Sequence, residues 1–151
     1  MAGGKGGTFE GDVLSLILNN VDAALVGDAT GLRGSSTAGS LYVSLHTGTL
    51  SASSSQNTNE CAYTSYARVA VARSGAAWTV TGTAPASASN ASAVTFPKAT
   101  GGTETATYFA VGTASAGAGK VLYWAPLLSS LAISNNIQPQ FNTGTLVITE
   151  T

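Results

Sequence analysis

Along Leu41–Gly48, LYVSLHTG, the apolar residues Leu41, Val43 and Leu45 alternate with Tyr42, Ser44 and His46. A strict period of two predicts a half-buried strand, because successive side chains point to opposite faces of a sheet. Tyr63–Arg73, YTSYARVAVAR, repeats the theme and reads as its partner: Val69 and Val71 fall on one side, Tyr66, Arg68, Ala70 and Ala72 on the other. Further short β-like runs follow at Ala77–Thr81, Ser92–Pro97, Thr105–Thr113, Lys120–Pro126, Ile137–Phe141 and Thr145–Thr149, with a shorter rung at Leu131–Ser134. Gly27–Ser40, Thr49–Ala62 and Gly82–Asn90 read as connections, rich in small and polar residues.

One segment breaks the period. Phe9, Val13, Leu16, Ile17 and Ala24 recur at helical spacing, and Leu14, Leu18, Val21 and Leu25 widen the stripe. Thr8 is placed to act as N-cap, and Glu10 and Asp12 complement the helix dipole. The pattern predicts a helix from about Phe9 to Asn20, behind a flexible glycine-rich arm over residues 1–8. That helix either covers one end of a sheet or docks on another subunit.

Many strands and one helix exclude an alternating α/β sheet. The expected fold is mainly β, an antiparallel two-sheet β-sandwich of jelly-roll type with one N-terminal helix. It forms a single domain over residues 9–151, and a small barrel is the alternative.

Composition sharpens the picture. Only 9% of the 151 residues are charged, against roughly 25% in an ordinary soluble domain. A surface so poor in charge suits a protein packed against neighbours. The net charge is −1, and the six basic residues (Lys5, Arg33, Arg68, Arg73, Lys98 and Lys120) are scattered, so no nucleic-acid partner is expected. No apolar run approaches the ~20 residues of a membrane span, so no membrane partner is expected either. The N-terminal MAGGKGGTFEGD has no apolar core behind a basic start, which predicts cytoplasmic synthesis. The lone Cys61 has no second cysteine for an internal disulfide or a thiolate metal site.

Little in the chain proposes chemistry. Gly112–Lys120, GTASAGAGK, has the look of a phosphate-binding loop, but Ala114 stands at the first Gly position and Val121 where a hydroxyl would hold magnesium. A hairpin loop is the better reading. His46, the single histidine, shares a strand face with Tyr42 and Ser44, where hydrogen bonding to a neighbour is ordinary. The serines include no Gly-x-Ser-x-Gly elbow. Asn90–Ala91–Ser92 fits a glycosylation acceptor only by pattern. No catalytic residue, metal ligand or cofactor is expected.

The aromatics are more telling. Adjacent pairs, Tyr108–Phe109 and Tyr123–Trp124, must split between the two faces of a strand, so one of each leaves the core. Tyr42, Tyr108, Tyr123 and Trp124, with Lys5 and Phe9 near the N-terminus, are the candidate interface residues.

LYVSLHTG, NECAYTSYARVAVARS, WTVTG and VTFPKATGGTETATYFAVGTASAGAGKVLYW together resemble a family of small tailed-phage virion proteins. Members are commonly labelled phage tail fibre or structural protein, and some relatives are similar to jelly-roll capsid cement. The resemblance runs from about Thr8 to Glu150, while Leu32–Ser40 and the loop after Gly48 depart from the pattern. It implies a structural virion protein without enzymatic activity. Its first expectation is a capsid decoration protein on the shell exterior, partnered by the major capsid protein and by copies of itself. The alternatives are a tail or tail-fibre component in host attachment, and a small carbohydrate-binding sandwich with Trp78 and Trp124 as stacking platforms.

Overall fold

A computed structural model describes residues 5–24, 26 and 34–150. Among these stand a helix, α1 (Gly7–Leu18), and nine strands. The strands are β1 (Ser40–His46), β2 (Val69–Ala72), β3 (Trp78–Thr81), β4 (Ala86–Asn90), β5 (Val94–Thr95), β6 (Glu104–Gly112), β7 (Val121–Ile133), β8 (Gln140–Phe141) and β9 (Val147–Glu150). They form three antiparallel sheets, ordered β2-β1-β6-β7, β3-β4-β9 and β5-β8. The fold is therefore mainly β with one N-terminal helix, as the periodicity predicts. Sheets of four, three and two strands do not by themselves make a jelly roll. The described residues gather into two compact units, one drawn from 1–39, 72–93 and 142–151, the other from 40–71 and 94–141.

In the first unit α1 packs on the β3-β4-β9 sheet. Register puts Trp78, Ala88 and Ile148 on one face of that sheet, all buried, and leaves Thr79, Thr81, Val147 and Thr149 exposed on the other. This is the half-buried alternation expected of an antiparallel sheet. The strand β4 (ASASN) lies within a stretch read as a connection. Its alternating Ala86 and Ala88 are fully buried because the helix lies close over this central strand, where larger side chains would not fit.

The helix differs from its sequence reading at both ends. It starts at Gly7 with Gly6 as N-cap and no side-chain cap, so Thr8 lies inside the first turn. The last two residues of the expected arm are thus helical, and Lys5 pairs with Glu150 of β9. The buried line is Glu10–Leu14–Leu18, spaced four apart, while Phe9 and Val21 stay exposed. Glu10 is buried because its Oε2 accepts the Ala86 N–H at 3.1 Å. At the other end Asn20 turns left-handed (φ 59°) and its side chain exchanges two hydrogen bonds with the Ser35 backbone. Arg73 donates to the carbonyls of Leu16 and Ile17, both at 2.7 Å, satisfying groups that the last turn leaves unpaired.

In the second unit β1 is central, between β2 and β6, and it is not half-buried. From Val43 to His46 every side chain is buried. Residues 59–61 run alongside β1, with the Thr47 N–H bonded to the Asn59 carbonyl and the Cys61 N–H to the Leu45 carbonyl, and the Thr58 carbonyl meets the His46 ring. Phe109, across from Leu45 on the opposite face, meets Phe141 edge-on at 5.5 Å between ring centroids. Ring contacts continue through Phe96, Tyr66 and Tyr63. The expected strand over Tyr63–Arg73 contracts to Val69–Ala72, since Ser65 adopts a left-handed backbone (φ 77°) and the Tyr66 N–H closes a turn onto the Tyr63 carbonyl. The runs at 120–126 and 131–134 merge into one long strand, β7.

Candidate interaction surface

β6 and β7 form a hairpin at the edge of the four-stranded sheet, and β7 is the outermost strand. Cross-strand partners share a face, so the pairs Tyr42↔Gly112, His46↔Tyr108, Ala110↔Trp124 and Tyr108↔Pro126 put Tyr42, Tyr108, Trp124 and Pro126 on one side. Tyr123, paired with Val111, lies on the other. The split predicted for adjacent aromatics is present: Phe109 is buried and Tyr108 half-buried, while Trp124 is 39% exposed beside a half-buried Tyr123. Between Pro126 and Leu131 the register slips, and Leu127–Ser130 bulge opposite Thr107, leaving Leu128 fully exposed.

A buried polar cluster holds this hairpin. The Arg68 guanidinium grips Glu60 with Nε to Oε1 and Nη2 to Oε2, both 2.7 Å. Its remaining donors reach the carbonyls of Ala114 (2.8 Å) and Gly117 (2.6 Å) in the loop between β6 and β7. Gln56 plugs the base of that loop. Its Nε2 donates to the Tyr42 carbonyl, its Oε1 accepts the Ala114 N–H, and its own N–H meets the Gly119 carbonyl. A Cβ on Gly112 or Gly119 would fall 2.1 or 2.3 Å from the Gln56 side chain, so only glycine admits the plug. The string GTASAGAGK therefore turns its carbonyls to a cation. A phosphate cradle needs free N–H groups aimed inward, and here the Ala114 and Gly119 N–H groups are already bonded. It is a hairpin loop.

His46 and Ser44 are both 0% exposed. His46 Nδ1 lies 2.8 Å from the Thr58 carbonyl, which can only accept, so the neutral ring carries its proton on Nδ1. Nε2 then accepts from the Ser44 hydroxyl at 2.9 Å. Burial lowers the His46 pKa, against the raising effects of the Thr58 carbonyl and the Glu60 charge and alongside the lowering effect of Arg68. The pair resembles a nucleophile and its base, yet both groups are sealed from solvent and the orienting group is a backbone carbonyl. Its role is to hold β1 to residues 58–60.

Other titrating groups here are also structural. Burial, with Glu104 beside it, pushes the Cys61 thiol up to about 12. Burial likewise raises the Tyr63 phenol to about 12, and its OH donates to the Pro97 carbonyl. Tyr66 is raised chiefly by burial, and its OH bridges the Leu45 N–H and Glu60 Oε1. The hydrogen bond to Glu60 raises Arg68.

Of the six predicted interface residues, Lys5 and Phe9 belong to the first unit and Tyr42, Tyr108, Tyr123 and Trp124 to the second. Trp78 is 0% exposed and cannot serve as a stacking platform, and Asn90 is buried with its amide bonded to Ser92, Asn142 and Leu146, out of reach of glycosylation. Sequence reasoning missed Leu128 and Pro126, although the absence of any charge from Val121 to Thr149 is a visible signal. Among the described residues no group of His, Cys, Asp and Glu could hold a metal ion, and no helix is long and apolar enough to cross a membrane.

A family model described as podophage GP4 fiber I protein gp80 matches residues 19–149, from the C-cap of α1 into β9. No curated protein matches the chain.

Proposed function

The chain belongs to that gp80 fibre family and is a structural phage protein; from this premise we propose that it is built into the fibre apparatus of a tailed phage and contributes to host attachment. The family match over residues 19–149 carries the reading. The pinned hairpin loop supports it, because a loop held by Arg68 and Gln56 presents residues 115–118 to solvent without large ordering losses on contact. The closed Ser44–His46 pair fits a protein that binds rather than turns over a substrate.

Labelling this chain on intact particles and imaging them tests the proposal. Density at the fibres in low copy number is expected. Label spread over the shell, in numbers comparable to the major capsid protein, would instead make it a capsid cement. A second test addresses attachment: an excess of the purified chain should slow adsorption of particles to host cells. Adsorption unaffected at saturating protein would remove the host-binding part of the proposal.

A further inference from the structure

The carbonyls of Ala114 and Gly117 both turn inward onto the Arg68 guanidinium, at 2.8 and 2.6 Å. Both carbonyls belong to trans peptides, in which the N–H of the next residue points the opposite way. The Ser115 and Ala118 N–H groups therefore face away from Arg68, and they meet no acceptor among the described residues. Two side-chain donors stand at the same end of this unit. Lys120, joined to Ser55 by a β-bridge, is exposed, and its ammonium has no partner among the described residues. Asn57 spends its Oδ1 on the Ser55 hydroxyl at 2.7 Å and keeps its NH2 group unbonded. Glu60, the carboxylate of this cluster, is taken by Arg68 through both oxygens and does not offset Lys120.

We infer that the outer side of the β6–β7 loop binds an anionic oxygen group, a carboxylate or a phosphate, carried by a host-surface glycan. Lys120 is its counter-ion, and the outward N–H groups donate to its oxygens. This is an exposed face of the loop and not a phosphate cradle. The carbonyls of Ala114, Gly117 and Gly119 are already bonded inward and do not repel an anion at that face. Residues 115–118 are exposed, so the buried bonds that hold them fix a tip that adds nothing to the core. Donors fixed before contact lose little freedom when a ligand arrives. The class of ligand follows from the loop; that its source is the host rests on the attachment reading above.

Titration of the isotope-labelled chain with short sugars, followed by amide NMR, reads the inference directly. An alginate oligosaccharide supplies carboxylates, a phosphorylated mannose oligosaccharide supplies phosphates, and a maltose oligosaccharide is the neutral control. The Ser115 and Ala118 amides should shift with an anionic probe and stay in place with the neutral one. Whichever anionic probe acts identifies the group. Lys120→Gln should weaken binding about two- to fivefold, Lys120→Arg should retain it, and added salt should weaken the native complex. No shift with either anionic probe would overturn the inference, as would equal shifts with the neutral sugar. Adsorption to host cells slowed equally by the native and Lys120→Gln chains would also overturn it, leaving the attachment reading in place. Anion binding at the tip with no effect on adsorption would remove the host as its source and uphold the site.

Discussion

Arg68 and Glu60 are joined by two parallel hydrogen bonds of 2.7 Å, and the Arg68 side chain is only 2% exposed. The same guanidinium also holds the Ala114 and Gly117 carbonyls. One buried cation thus ties the segment before β2 to the segment beside β1 and to the β6–β7 loop. Removing it leaves a carboxylate and two carbonyls facing a void. Arg68→Met is expected to cost about 3–5 kcal/mol, the range for breaking one side of a buried ion pair. Arg68→Lys should recover little of it, since an ammonium cannot reproduce the fork. Urea unfolding of the three proteins measures both values.

His46 makes stability depend on pH. Its folded pKa lies below the ordinary 6.5, so between the two values the unfolded chain binds more protons than the folded one. Its contribution is complete above 6.5 and declines as pH falls toward the folded value, by at most about 1.4 kcal/mol per pH unit. Protonation also makes Nε2 a donor and forces the Ser44 hydroxyl to turn to the Ala110 carbonyl, a long 3.5 Å away. Chemical denaturation from pH 7 down to pH 5 should show this decline in the native chain. His46→Gln should be less stable at pH 7 and flatter across the window. An equal slope in both proteins would place the titration elsewhere.

Much of this architecture is legible in the sequence, and the failures share a cause. Period-two alternation locates β1, β3, β6 and β9, and adjacent aromatics identify Tyr108 and Trp124 as residues leaving the core. Alternation cannot tell how many faces are covered, however. Ser44 and His46 look like solvent-side positions and are buried, and the groups that meet this part of β1 come from remote in sequence: the Thr58 carbonyl on the His46 ring, and the Gln56 amide on the neighbouring Tyr42 carbonyl. Arg68 and Glu60 look like solvated charges for the same reason. The helix face is misjudged because Glu10 reads as polar, while its partner, the Ala86 N–H, belongs to a strand hidden in an Ala- and Ser-rich string.

Cys61 should be chemically silent. Its thiol, pushed up to about 12 by burial and by Glu104, is thiolate in about one molecule in ten thousand at pH 8. A thiol reagent at that pH should leave native protein unmodified while labelling it within minutes in concentrated urea. The raised value also has a stability consequence of opposite sign to that of His46. The contribution is intact below the ordinary thiol value near 9 and is lost as pH rises from there toward 12. Rapid labelling of the folded protein would mean that the 59–62 segment opens readily.

β4 gives the sharpest test of why a string of small residues is a central strand. Ala88 is 1% exposed, sits across from Val80 and Ile148, and lies on the face covered by α1. Ser87, one residue earlier, points the other way and is only half-buried. If β4 is small because the helix lies close, Ala88→Leu must push α1 off the sheet, at about 1–3 kcal/mol for an overpacked site. Ser87→Leu, with no helix above it, should change stability by about 0.5 kcal/mol or less, the range for a surface position. Thermal unfolding of both variants measures the difference. Hydrogen exchange then locates the damage: the α1 amides should lose protection in Ala88→Leu, while those of β6 keep theirs. Equal tolerance of leucine at both positions would mean that the packing of α1 on β4 is not what keeps this strand small.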